Sequence, residues 1–303
     1  MKKTVFITAG DPNGIGPEIT VKALKNPRVQ KACRAVVIGE VSSLKRAGWT
    51  ENLAPLIALD APGLPKKHAP SKEGGLVSYQ AVETGIKLSL KTGFPLVTAP
   101  ISKQSWQLCG VEFTGHTELL RARTKQDGLM MFVSEKLACC LVTEHFALAH
   151  LPLTKKRVED TVLHFTQALN NLGKKAARIG LCALNPHAGD NGKFGTEEKE
   201  ILLPALKNLQ KKKISVEGLF PSDDAWIKHK QGLLDGLVCM YHDQALLGLK
   251  LAAEQPIVHI TAGLPFLRTS PTHGTAFDIA GKNKADPQSM ISAILFACSR
   301  KTI

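Results

Sequence analysis

Apolar and polar positions along this chain fall into two kinds of block, and the two kinds alternate. Short apolar runs bounded by Gly, Pro or charged residues read as buried strands: TVFITAG (4–10), AVVIG (35–39), PLIALD (55–60), PLVTAP (95–100), RIGLCALN (178–185), GLVCMYH (236–242) and IVHITAG (257–263). Between them lie segments with helical apolar spacing. One opens at Pro17, in the favoured first-turn position, and runs to about Asn26. Others cover 74–90, 154–173, 195–212, 244–254 and 287–300. MMFVSEKLACCLVTEH differs, because two β runs flank Ser134-Glu135-Lys136 and predict a hairpin. Strand–helix alternation predicts an α/β protein with a largely parallel sheet, and the hairpin predicts a second lobe with mixed strands.

The length of 303 residues suits two domains, and 44% hydrophobic residues rule out a mainly disordered chain. No apolar run approaches the ~18 residues of a membrane span. The stretch Val5 to Ala9 is too short for a signal-peptide core, so a cytoplasmic location is expected. The net charge of +13 raises the question of nucleic acid. The lysines, however, are scattered over helix-like segments, and 5% aromatics give no stacking platform, so neither nucleic acid nor membrane is expected as a partner. Attraction for small anionic substrates fits the charge better. Seven cysteines without CxxC spacing, mostly inside apolar runs, argue against disulfides or a thiolate zinc site.

In open α/β sheets ligands sit at the carboxyl ends of strands. Here polar residues gather where apolar runs stop: Glu144-His145, Asn185-Pro186-His187, Ser222-Asp223-Asp224 and Tyr241-His242-Asp243-Gln244. Three histidines at three strand exits, with Asp223 and Asp243, form a donor set for a divalent metal, and mostly nitrogen ligation favours Zn²⁺, Co²⁺ or Mn²⁺ over Mg²⁺. By spacing alone that signal is weak. The loop GDPNGIGPE (10–18) fits neither a P-loop nor a Rossmann fingerprint and reads as a tight strand-to-helix turn.

The stretch THGTAFDIAGKNKADPQSM (272–290) is more specific. It resembles the loop with which the β-decarboxylating dehydrogenases, the isocitrate and isopropylmalate group, hold the adenosine part of NAD. With that loop in view, GDPNGIGPE, TAPISK (98–103), FTGHTELL (113–120), LNPHAGDNGKFGTEE (184–198), YHDQ (241–244) and GLPFLRTS (263–270) together resemble the 4-hydroxythreonine-4-phosphate dehydrogenase family of the pyridoxal phosphate pathway. The resemblance runs from residue 4 to about 290.

The resemblance implies an isopropylmalate-dehydrogenase-like fold of two α/β domains with a cleft between them. The expected division is 1–105 plus 250–303 for the cofactor side and 106–249 for the metal and dimerisation side. It implies a homodimer with a shared active site and one divalent metal (Zn, Co, Mn or Mg) on His145, His187 and His242. Substrate contacts fall on His116, Thr117, Lys250, His259 and Arg268, and catalytic roles on Asp223, Asp243 and Lys250. NAD or NADP would contact His273, Gly274, Thr275, Ala276 and Asp278. The implied reaction is oxidation and decarboxylation of a small phosphorylated hydroxy-amino acid, 4-phosphohydroxy-L-threonine, to 3-amino-2-oxopropyl phosphate. Departures from the family pattern stand at His259, where Asn is usual, at Asp224, and at Thr272. They keep open a related substrate such as a four-carbon sugar-acid phosphate. A metal-dependent hydrolase or acyltransferase on a related fold is the alternative from another class, and the full coenzyme-loop string argues against it.

Overall fold

A computed structural model of the chain describes residues 2–61, 63–65 and 68–299. The chain divides into two compact units, Met1–Gly128 with Leu264–Ile303, and Leu129–Gly263.

The first unit opens with β1 (Lys3–Thr8), α1 (Gly16–Leu24), α2 (Pro27–Ala32), β2 (Cys33–Glu40), α3 (Val41–Arg46) and β3 (Leu56–Leu59). The long α4 (Lys72–Thr92) follows, capped by Ser71 at its start and ended by Gly93 in the left-handed region. Then come β4 (Leu96–Thr98), α5 (Lys103–Leu108) and α6 (His116–Thr124). The second unit carries β5 (Leu129–Ser134), β6 (Leu137–Leu141), α7 (Lys155–Asn171), β7 (Ile179–Cys182), α8 (Leu203–Lys211), β8 (Val216–Phe220), α9 (Ser222–Lys230), β9 (Gly236–Cys239), α10 (His242–Ala252) and β10 (Val258–Ala262). The chain returns to the first unit with β11 (Arg268–Ser270) and α11 (Gln288–Ser299); Arg300, placed in that last helix by the sequence pattern, lies outside the described residues.

Strand order in the first unit is β3-β2-β1-β4-β11, with every pair parallel. In the second it is β10-β5-β6-β9-β7-β8, with β10, β5 and β6 antiparallel and the rest parallel. The hairpin at Ser134 is therefore present and makes the second sheet mixed. The expected boundaries shift. Residues 106–128 go with the first unit because Leu119 and Leu120 of α6 are buried with Trp106, Val82 and Phe266 in its core. Residues 250–263 go with the second because β10 is the antiparallel partner of β5. The core of the second unit gathers Phe132, Cys139, Trp226, Leu237 and Leu249.

Candidate coenzyme loop and metal centre

In the first unit the glycine-containing loop after β1 is fixed from below. Asp11 is fully buried; its Oδ1 accepts the Asn13 N–H (3.0 Å) and its Oδ2 the Ser105 hydroxyl (2.8 Å). Burial pushes the Asp11 carboxyl up, and these two donors oppose that shift. The Asn13 side chain donates to the Ala69 carbonyl and to Ser71 Oγ, the α4 cap. The loop is then bonded to the coenzyme-like loop, since Ile15 N–H donates to the Thr275 carbonyl at 2.9 Å. A Cβ at Gly14 would stand 2.8 Å from that same oxygen, so only glycine allows the approach.

Farther along, Glu18 Oε1 accepts the Ala285 N–H (2.9 Å) and the Lys22 ammonium (2.8 Å). Lys22 also donates to the carbonyls of Asn283 and Ala285. The segment between these anchors contains Ala276 and Asn283 at φ 41° and 57°, a left-handed geometry that costs a non-glycine residue about 1–2 kcal/mol. His273, Gly274 and Asp278 are exposed on it, and Thr275 and Ala276 half-buried. Beside it lies a cavity of about 660 Å³ lined by Gly14, Glu18, Lys22, Gly281 and Asn283 among others. That is within the range of small-ligand sites.

The substrate residues assigned to this unit are sheltered. Thr117 is buried in the first turn of α6, and the half-buried His116 ring packs edge-on against Trp106 at 5.9 Å. Trp106 in turn donates to Ser78 Oγ. Arg268 is 2% exposed, donates through Nη2 to Thr98 Oγ1 at 2.7 Å, and burial pushes its pKa down to about 9. An anionic ligand beside such a guanidinium favours its charged form.

In the second unit the strand exits are drawn together by Gln244, which was read from the sequence only as part of YHDQ. Its Oε1 accepts the Met240 N–H, and its Nε2 donates to the Ala183 carbonyl and to Ser222 Oγ. One buried amide thus ties the ends of β7 and β9 to the start of α9. The His145 and His242 rings lie 5.3 Å apart, centroid to centroid. Two imidazoles on one tetrahedral zinc, at Zn–N of about 2.0–2.1 Å, have centroids about 5 Å apart, so this pair fits a metal. Asp243 Oδ1 meets His242 Nδ1 at 2.7 Å, which leaves Nε2 free of that contact.

His187 packs near Phe194 at 6.4 Å and begins a run of left-handed residues to Asn191. Buried Glu198 holds the turn before that run, accepting the N–H groups of Leu184 and Asn185 and the Asn185 amide. Among the described residues of one chain, no group of three or more His, Cys, Asp or Glu could hold a metal ion. Asp223 and Lys250 are exposed on α9 and α10, and Asp224 is paired with Lys228 at 3.0 Å. His259 stacks on its cross-strand partner Phe132 at 5.0 Å.

These features define an α/β chain of two units whose candidate coenzyme loop lies outside any Rossmann fingerprint. A solved β-decarboxylating dehydrogenase from Thermococcus kodakarensis shares the fold, with a TM-score of 0.53 at 14% identity over 96% of this chain and 81% of that one. Residues 10–297 match the family model described as pyridoxal phosphate biosynthetic protein PdxA, and the chain belongs to that family. It is 36% identical to the 4-hydroxythreonine-4-phosphate dehydrogenase of Desulforapulum autotrophicum, over 100% of this chain and 96% of the relative. It is 39% identical to the D-threonate 4-phosphate dehydrogenase of Salmonella typhimurium, over 97% and 98%. The crystal structure of 4-hydroxythreonine-4-phosphate dehydrogenase from Klebsiella pneumoniae matches with a TM-score of 0.88 at 32% identity, covering 99% of both chains. No helix among the described residues is long and apolar enough to cross a membrane.

Proposed function

We propose that the chain is an NAD- or NADP-dependent, divalent-metal-dependent dehydrogenase that oxidises and decarboxylates 4-phosphohydroxy-L-threonine to 3-amino-2-oxopropyl phosphate. The observation that carries this reading is the His145–His242 pair at metal-sharing distance in a chain of this family. When bound, the metal supplies acidification of the substrate hydroxyl and an electron sink for CO₂ loss, and the dinucleotide supplies the hydride acceptor. The protein's part is placement and proton handling. Arg268, His116 and Thr117 give the donors a phosphate or carboxylate calls for, and Arg268 presents them in a planar fork. Asp243 orients His242 through Nδ1. Lys250, exposed on the last turn of α10, is the group for taking the hydroxyl proton and returning one to the carbon that loses CO₂.

The metal centre is assigned to a homodimer. Among the described residues of one chain the three histidines form no group that could hold a metal ion, and the second unit exposes Phe146, Leu148, Phe194, Leu247 and Leu251, between 49% and 79% accessible. A second copy that covers this apolar surface and supplies a missing imidazole accounts for both facts.

The Salmonella relative supports a second substrate, D-threonate 4-phosphate, which carries a hydroxyl where 4-phosphohydroxy-L-threonine carries an amine. NADH formation after metal reconstitution, measured with the two compounds side by side, tests both. Turnover of the amino compound at the higher kcat/KM is the expected result. Turnover of D-threonate 4-phosphate alone transfers the assignment to the second reading, and no reduction with either removes both.

A further inference from the structure

The segment GDPNGIGPE has the look of a phosphate-binding loop, yet two of its hydrogen-bonding groups, the Ile15 N–H and the Glu18 carboxylate, are taken by another loop of the same chain. Ile15 N–H, at the cap of α1, is taken by the Thr275 carbonyl, and a Cβ on Gly14 would stand 2.8 Å from that carbonyl oxygen. Glu18, one turn on, binds the Ala285 N–H, and its ion-pair partner Lys22 binds the carbonyls of Asn283 and Ala285. The two anchors grip the coenzyme loop at its start and its end, across a sequence separation of 267 residues at the second. Between them the loop holds two non-glycine residues in left-handed geometry, which persists only where the surroundings over-determine it. Asp11 anchors the same turn: its carboxylate accepts the Asn13 N–H and the Ser105 hydroxyl, and its carbonyl accepts the Gly14 N–H.

We infer that Glu18 is a positioning residue for the dinucleotide: with Lys22, and with Gly14 at the other anchor, it holds the loop 275–285 in the shape that receives the coenzyme. The inference rests on reading 273–278 as the coenzyme loop. It gives the first glycine-rich motif a role that its sequence pattern does not suggest, as a frame and not as a phosphate cradle. A preorganised loop spends less of its binding free energy on ordering, so loosening the frame should weaken the dinucleotide and spare the phosphorylated substrate.

The test uses Glu18→Ala, Glu18→Gln and Gly14→Ala in the full chain, with dinucleotide binding followed directly by calorimetry and by KM. Loss of one charged clamp should raise the dinucleotide Kd and KM about tenfold in Glu18→Ala, with the phosphorylated-substrate KM within about twofold of wild type. Glu18→Gln keeps an acceptor for Ala285 and should fall between. Gly14→Ala, which crowds the Thr275 carbonyl without touching a charge, should reproduce the dinucleotide defect, and amide exchange in 275–285 should quicken in both alanine variants. Unchanged dinucleotide affinity in folded Glu18→Ala and Gly14→Ala, or an equal rise in both KM values, overturns the inference. Wild-type protein that binds no dinucleotide would instead remove the underlying coenzyme reading, and this inference with it.

Discussion

The two units handle their chemistry-bearing residues in opposite ways. In the first, the groups beside the candidate coenzyme loop and the assigned substrate residues are tied within the chain: Asp11 to Ser105 and Asn13, Glu18 to Ala285, Arg268 to Thr98, His116 against Trp106. In the second, the frame is just as firm, with Gln244 and Glu198 buried and fully engaged. The groups it presents are nevertheless open: His145, His187, Asp223, Asp243 and Lys250 are all exposed, and large apolar side chains surround them in sequence. Burial of a charge or a polar loop is tolerated only when its partners are supplied. Under the proposed function, the open groups of the second unit are the ones that a metal and a second copy of the chain would complete.

The sharpest way to break that contrast is to remove the metal donors. His145→Ala, His187→Ala and His242→Ala should each lose bound metal and at least ~100-fold in activity, in line with losses at metal sites. Full occupancy by elemental analysis in all three variants would sink the shared-centre reading. If only His187→Ala kept its metal, the centre would belong to the His145–His242 pair alone.

Next in size is the apolar surface. Leu251→Asp places a carboxylate at a side chain that is 79% exposed on α10. If that face meets a second copy, the dimer Kd should rise about 30-fold, the equivalent of a hot spot of about 2 kcal/mol. Sedimentation of the variant as a dimer at unchanged affinity would detach the exposed leucines from assembly.

In the first unit, Arg268→Lys keeps the charge but loses the fork that can grip an oxyanion with two parallel bonds. The KM for the phosphorylated substrate should rise about tenfold with the coenzyme KM unaltered, as expected for one lost charge-assisted bond. A KM that stays put would place Arg268 in the core of the unit only.

The smallest effect concerns stability. His229 is buried, with Nδ1 donating to the Leu234 carbonyl and Nε2 accepting the Ala138 N–H, so the folded ring is neutral. Burial lowers its pKa below the ordinary value of 6.5. As pH drops below 6.5 the unfolded chain takes up a proton that the folded chain refuses, and stability falls through that window. Denaturant midpoints at pH 7.5 and 5.5 should therefore differ less in His229→Gln than in wild type; equal pH dependence in the two proteins would assign the acid sensitivity to other groups.

How much of this was legible in the residues depends on the range of the interaction that fixes it. Strand and helix positions follow from local periodicity, and β1, α4, the β5–β6 hairpin and α7 stand close to where the pattern places them. Pieces such as α2, α5 and β11 are too short for a period to register. The histidines were legible as strand-exit residues, and the candidate coenzyme loop as a family-like string, because both are contiguous signals. Which histidines meet was not, since a ring separation between residues 145 and 242 is set by sheet order.

The sequence by itself determined the class: an alternating α/β chain, a family-specific loop, and imidazoles where strands end. Only the tertiary structure decided that residues 106–128 belong with the first unit, that the His145 and His242 rings lie 5.3 Å apart, and that GDPNGIGPE clasps another loop. Each of those outcomes depends on contacts between segments far apart in the chain. A hydrogen bond from Ala285 to Glu18 leaves no mark on the local pattern around either residue, because what it satisfies is a buried backbone group that exists only once the two segments have met.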